Sequence, residues 1–138
     1  MERVVQQDGT GCGLACIAML AARNYSDVKS SAIEILEMDV NGKFYTTAPN
    51  LRKLGKAFKL DIDERCRKFQ SFSLLPSLAI LAINYREDQG TWHWVVFCRT
   101  DDEEFILDPK QTIKSERRFD FDRLSKKTKW FISVKRAS

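Results

Sequence analysis

The stretch Gln6–Met19, QQDGTGCGLACIAM, holds one cysteine with glycine on both sides, Cys12. Gly9, Thr10, Gly11 and Gly13 break regular structure around it. Leu14 to Ala22 are helix formers or small apolar residues, so a buried helix is expected to begin close to Cys12. A thiol at a helix N-terminus faces unpaired backbone N–H groups and the positive end of the macrodipole. Both favour the thiolate, the nucleophilic form of cysteine. Gln6 stands six residues upstream as a neutral donor for an oxyanion, with Gln7 as the fallback.

Such a nucleophile needs a base, and the chain has one histidine, His93. It lies in Thr91–Arg99, TWHWVVFCR, a run rich in aromatic and β-branched residues that reads as a strand. A second run, EFILDP, carries Asp108, fifteen residues after His93. The acidic turn Thr100–Glu103 between the runs suits a hairpin, which would bring Asp108 alongside the imidazole to orient it. A cysteine near the start with histidine and aspartate far downstream is the order of a papain-type thiol hydrolase.

The Gln6–Cys12 spacing, the run CGLACIAM, the His93 strand HWVVF and the LDP ending at Asp108 and Pro109 resemble the bacteriocin-processing, or double-glycine, peptidase family of the papain-like superfamily. The resemblance implies a bacterial cysteine peptidase with Cys12 as nucleophile, Gln6 as oxyanion donor, His93 as base and Asp108 as its orienting partner. It also implies a peptide or protein substrate, with small residues such as Gly–Gly before the cut, and no cofactor or metal. Two features depart from the family pattern. Gly11 stands where members usually have an acidic residue, and this chain carries no membrane-spanning exporter of the kind to which many members are fused. A deamidase or transamidase effector using the same triad is the enzymatic alternative. A degenerate domain that holds a peptide without cutting it is the other.

Cys16, one helical turn after Cys12 and inside the apolar run, reads as core. Cys66 and Cys98 read as half-buried strand residues. Structural zinc wants close cysteine pairs, and only Cys12 and Cys16 are near each other, so a zinc site is not expected. Trp92 and Trp94 should face away from His93 and form core or cleft wall.

The elements that must position these residues follow from periodicity. Helices are expected at about Cys12–Arg23, at Val28–Met38 capped by Ser26 or Asp27, and after Thr47 and Pro49 with a stripe of Leu51, Leu54, Ala57 and Phe58. From Leu60 the period changes to that of a strand, through Ile62 and on to Glu64 and Cys66. Ala79–Tyr85 is nearly all apolar and reads as a central strand. The two strands of the site follow, then a short helical turn at Phe119–Leu124 and a last strand at Lys129–Lys135. The fold class is α+β, a papain-like cysteine peptidase fold with an N-terminal helical half packed on a C-terminal antiparallel β-sheet. Residues 1–138 suit one domain, with a cleft between the halves.

The net charge of +4 is uneven. Residues 1–108 carry 13 Lys/Arg and 16 Asp/Glu, and residues 109–138 carry 10 and 3. No nucleic-acid motif accompanies the basic end, so it reads as a solvated strand and loops, and no nucleic-acid partner is expected. No apolar run is long enough for a transmembrane segment, and the start has no apolar signal core. Four free thiols then point to a reducing, cytoplasmic setting.

Overall fold

The helix behind Cys12 is apolar on every side, which obliges the rest of the chain to wrap it. In the computed structural model, which describes residues 1–136, this helix is α1, Cys12–Ala21, and everything from Cys12 to Leu20 is buried. It stops at Ala22, which adopts a left-handed conformation and turns its N–H back to Ala18 and Met19. Helix α2 spans Tyr25–Ile35, three residues earlier than the pattern suggested. Asn24, not Ser26 or Asp27, is its cap: the Asn24 side chain accepts from the Asp27 N–H at 2.8 Å. The earlier start buries Tyr25 and places Val28 and Ala32 on the core face. Helix α3, Ala48–Ala57, begins as expected, with Thr47 and Asn50 capping each other reciprocally. Leu51 and Leu54 are fully buried, but Ala57 is exposed, so the stripe is narrower than the spacing implied.

The strands are β1 (Leu60–Ile62), β2 (Arg67–Lys68), β3 (Leu78–Arg86), β4 (Thr91–Arg99), β5 (Glu104–Leu107) and β6 (Thr128–Arg136). A short helix α4, Phe121–Ser125, precedes β6. The sheet order is β1-β6-β3-β4-β5, with β2 also on β6, and every pair is antiparallel. The expected strand through Cys66 breaks after Ile62. Asp63, Glu64 and Arg65 have nothing apolar to bury, and the Asp63 carboxylate accepts from the Arg65 N–H in a local turn. Cys66 is therefore exposed and outside any strand, whereas Cys98 is a buried residue of β4.

The period of two along β4 divides the core. Trp94, Val96 and Cys98 pack toward the helices, with Ile80, Ala82 and Ile132 from neighbouring strands. Val95 and Phe97 pack on the opposite face with Phe69, Phe72, Leu81, Ile106 and Leu124. This is the expected α+β arrangement of a helical layer on an antiparallel sheet. Helix α1 packs on β4, and the hydrogen bond from the Trp94 N–H to Cys12 Sγ makes the start of the helix a neighbour of the His93 end of the strand. Among the described residues, no helix is long and apolar enough to cross a membrane. The last two residues of the basic stretch 109–138 lie outside the described residues.

Candidate active site

Cys12 is the first residue of α1 and is 8% exposed. The N-cap is Gly11, which offers no side chain to the first-turn N–H groups. The backbone N–H of Trp94 donates to Cys12 Sγ at 3.5 Å. The first turn of α1 is crossed closely by the segment before α3: a Cβ added to Gly13 would meet Thr46 Oγ1 at 1.9 Å. That segment is held by Trp94 Nε1, which donates to the Thr46 carbonyl at 3.0 Å, and by Thr10 Oγ1, which accepts from the Phe44 N–H at 2.7 Å. Trp94 is thus buried on the helical side, as alternation predicts. Trp92 is half-buried and packs on Tyr85 and Trp130.

His93 and Asp108 meet as the hairpin requires. His93 Nε2 lies 2.6 Å from Asp108 Oδ1, with the side chains 16% and 1% exposed. The carboxylate has two further partners, the Lys110 N–H at 3.0 Å on Oδ1 and Arg118 Nη1 at 2.8 Å on Oδ2. Burial alone would push the Asp108 carboxyl up. Its hydrogen bond with His93, the imidazolium charge, the Lys110 N–H and Arg118 outweigh that and bring it down to about 2. Burial likewise pulls the imidazole down, but the hydrogen bond to Asp108, the neighbouring Cys12 side chain and the negative charge of Asp108 raise it to about 9. Nε2 is engaged with Asp108, which leaves Nδ1 for the thiol. Cys16 is a different kind of cysteine: complete burial, then the nearby Cys12 and Asp108, raise its thiol far above the ordinary range. It is core, as its place in the apolar run suggested.

Gln6 is buried and Gln7 exposed. The Gln6 amide donates both hydrogens to the turn before Cys12, to the carbonyls of Asp8 at 3.0 Å and Gly9 at 3.1 Å, while its Oε1 has no partner. Its backbone is tied to the loop after β5. The Gln6 N–H donates to the Pro109 carbonyl at 2.9 Å, and Gln111 Nε2 donates to the Gln6 carbonyl at 2.8 Å. The oxyanion candidate and the Asp108 loop are therefore one hydrogen-bonded unit.

Three groups that hold this unit carry no mark in the sequence. Arg3, its side chain 5% exposed, donates to the carbonyls of Asp108, Lys110 and Ile113 at 2.6, 2.8 and 2.6 Å. Asp8 is gripped by the Tyr25 hydroxyl at 2.7 Å and Lys29 Nζ at 3.1 Å. Arg118 is the third. An arginine in a polar stretch reads as solvated, and nothing in the pattern of SERRFD marks one of its two arginines as buried. Volume is no guide either. A cavity of about 810 Å³ opens at the other end of α1, lined by Leu20, Arg23, Phe58 and Arg136, roughly 15 Å along the helix from Cys12.

The family model of the peptidase C39 family matches residues 1–135, and the chain belongs to that family of cysteine peptidases, which makes it a thiol hydrolase. No curated protein matches the sequence. Among solved structures, the chain is similar to the peptidase domain of Streptococcus ComA, a bifunctional ABC transporter involved in quorum sensing, at 18% identity and a TM-score of 0.64, covering 99% of this chain and 97% of that one. It is also similar to a double glycine motif protease from an AMS/PCAT transporter solved with its leader peptide, at 16% identity, TM-score 0.62 and coverage of 97% and 89%. The peptidase domain of Streptococcus mutans ComA matches at 19% identity, TM-score 0.59 and coverage of 98% and 99%. At these identities the likeness shows the fold, the papain-like one expected.

Proposed function

We propose that this C39 peptidase hydrolyses peptide bonds through Cys12, His93 and Asp108, with Gln6 and the backbone N–H of Cys12 as oxyanion donors, and that residues 1–138 act as one cytoplasmic peptidase domain. One observation carries the reading. The only imidazole of the chain is held by the buried carboxylate of Asp108, and the next residue along its own strand donates its N–H to the cysteine at the head of α1.

In the proposed cycle His93 Nδ1 already holds the proton given up by Cys12, as an imidazolium beside the thiolate, and Sγ attacks the substrate carbonyl carbon. The C=O pair moves onto oxygen, and the oxyanion is met by the Cys12 N–H and by one Gln6 amide hydrogen, which leaves its loop carbonyl to do so. A donor of this kind is worth about 3–4 kcal/mol of barrier. The tetrahedral centre collapses, the C–N bond breaks, and the leaving amine takes the proton from His93. Water, deprotonated by His93, then attacks the thioester and returns the thiol. Asp108 keeps Nε2 as the protonated nitrogen and stabilises the imidazolium throughout.

A substrate with Gly–Gly before the cut is the first to test, since a relative of this fold was solved with a leader peptide. The protein is incubated with a peptide set carrying Gly–Gly, Gly–Ala and bulky pairs, and products are read by mass. Cleavage after a small pair, absent in Cys12→Ala, supports the reading. A gain of one dalton on a glutamine-bearing peptide with no cut would replace it with deamidation.

A further inference from the structure

Asp108 divides its carboxylate between two cations of different character. Oδ1 faces His93, which gains and loses a proton. Oδ2 takes Arg118 Nη1 at 2.8 Å, a charge that never leaves. The Arg118 side chain is only 13% exposed. Its backbone is locked to β5 two residues before Asp108, with N–H and C=O paired to Ile106 at 2.8 and 3.0 Å. The same guanidinium donates through Nε and Nη2 to both oxygens of Asp120, at 3.1 and 2.7 Å, and the Asp120 side chain is 38% exposed.

We propose that Arg118 is a positioning residue for the peptidase reaction: by occupying Oδ2 with a fixed positive charge, it limits how strongly that carboxylate retains a proton on His93. The inference rests on the reading of Cys12 and His93 as a catalytic pair. A carboxylate paired to a permanent cation is a weaker base, and its field at a neighbouring group is partly cancelled. The base of a thiol hydrolase must hold the thiol proton and later release it to the leaving amine. A carboxylate facing His93 alone would favour the first task over the second.

The charged groups around the imidazole come from every side. Cys12 faces it from α1. Asp108 faces it from the loop after β5. Arg3, from the N-terminal segment, reaches that loop's carbonyls but not the carboxylate. Arg118 and Asp120 come from the stretch before α4. Among the described residues, Arg118 is the one cationic side chain besides His93 that bonds the Asp108 carboxylate itself.

One histidine makes the test direct, because the imidazole carbon-bound protons give a single NMR titration with no assignment problem. Arg118→Gln is expected to raise the His93 midpoint by about 1–2 pH units, the effect of one charged neighbour at an effective dielectric of about 20. Arg118→Lys keeps the charge and should stay close to the wild-type midpoint. Asp120→Asn removes the competing carboxylate from the open side and should shift the midpoint the other way, downward. A purely structural Arg118 predicts the opposite for Arg118→Gln: Asp108 would lose its register and His93 would fall toward an ordinary imidazole. That result, or no shift, overturns the proposal. If Arg118→Gln does not fold, Asp120→Asn decides, and an unchanged or raised midpoint overturns it. Cys12→Ser separates the two readings. A wild-type His93 that titrates as a free imidazole and ignores Cys12→Ser would sink the catalytic pair, and this proposal with it. A His93 that responds to Cys12→Ser but not in the expected direction to the other variants would sink the role of Arg118 alone.

Discussion

The N–H of Trp94 donates to Cys12 Sγ at 3.5 Å, so the residue beside the base on β4 also holds the sulfur of the nucleophile. In the proposed pair that sulfur also faces the His93 imidazolium, the setting of a reactive thiol. The other thiols are placed differently. Cys16 and Cys98 are buried, and the exposed Cys66 has its thiol raised, chiefly by partial burial of the group. Alkylation in mildly acidic buffer is therefore expected to modify Cys12 first, with Cys66 following only as the pH rises. His93→Ala should slow the Cys12 reaction at least tenfold. Peptide mapping of intact-mass samples reads both, and labelling of Cys66 ahead of Cys12 would contradict the assignment.

The His93–Asp108 pair also makes stability depend on pH. His93 is raised from 6.5 to about 9, so its contribution is fully present below about 6.5 and is lost as pH rises through 9. Asp108 is lowered from 3.8 to about 2, so its contribution is present above 3.8 and is lost as pH falls through 2. The pair thus supports a plateau between these limits. Urea unfolding should show wild type weakening between pH 6.5 and 9 by no more than about 3 kcal/mol. His93→Gln should be flat over that range. An equal decline in both proteins would locate the effect elsewhere.

How much of this was legible in the sequence depended on whether a residue's partner was local or distant. Cys12 could be read because glycine and a solid apolar run mark a helix start. His93 and Asp108 could be read because a hairpin of apolar strands fixes their register. Helix α2 was misplaced because Asn24, Ser26 and Asp27 are all good caps, and burial of Tyr25 chose among them. The strand through Cys66 failed because charged residues carried the alternation. Arg3 and Arg118 were invisible as site residues. Their partners are backbone carbonyls 105 to 110 positions away and a carboxylate 10 positions away, and no local pattern separates them from surface arginines.

Gly11, the residue before Cys12, is fixed by a steric constraint. Its φ of −92° suits any residue, so the backbone does not demand glycine. A Cβ there would lie 1.9 Å from the Tyr25 hydroxyl, which is buried and bound to Asp8. Gly11→Ala should cost about 1–3 kcal/mol by overpacking. Tyr25→Phe alone should cost about 1 kcal/mol for the lost hydrogen bond. Removing the hydroxyl also removes the clash, so the double variant should be less destabilised than the sum of the singles. Chemical unfolding of all four proteins closes the cycle, and strict additivity would refute the steric account.

Gln6 poses the sharpest choice between structure and catalysis. Both its amide hydrogens are bound to loop carbonyls, so as an oxyanion donor it must exchange one of them during the reaction. If it does, Gln6→Ala should lower kcat by about 10²–10³ with KM little changed, because the lost interaction exists only in the transition state. Gln6→Glu should be worse in both respects. It replaces a donor with an acceptor against the Asp8 and Gly9 carbonyls and sets a negative charge beside the developing oxyanion. A Gln6 that only braces the turn gives a different signature. Both variants would then unfold at lower urea, while the folded fraction would turn over at the wild-type rate. Steady-state kinetics on a Gly–Gly peptide, normalised by alkylatable Cys12, separates the two outcomes.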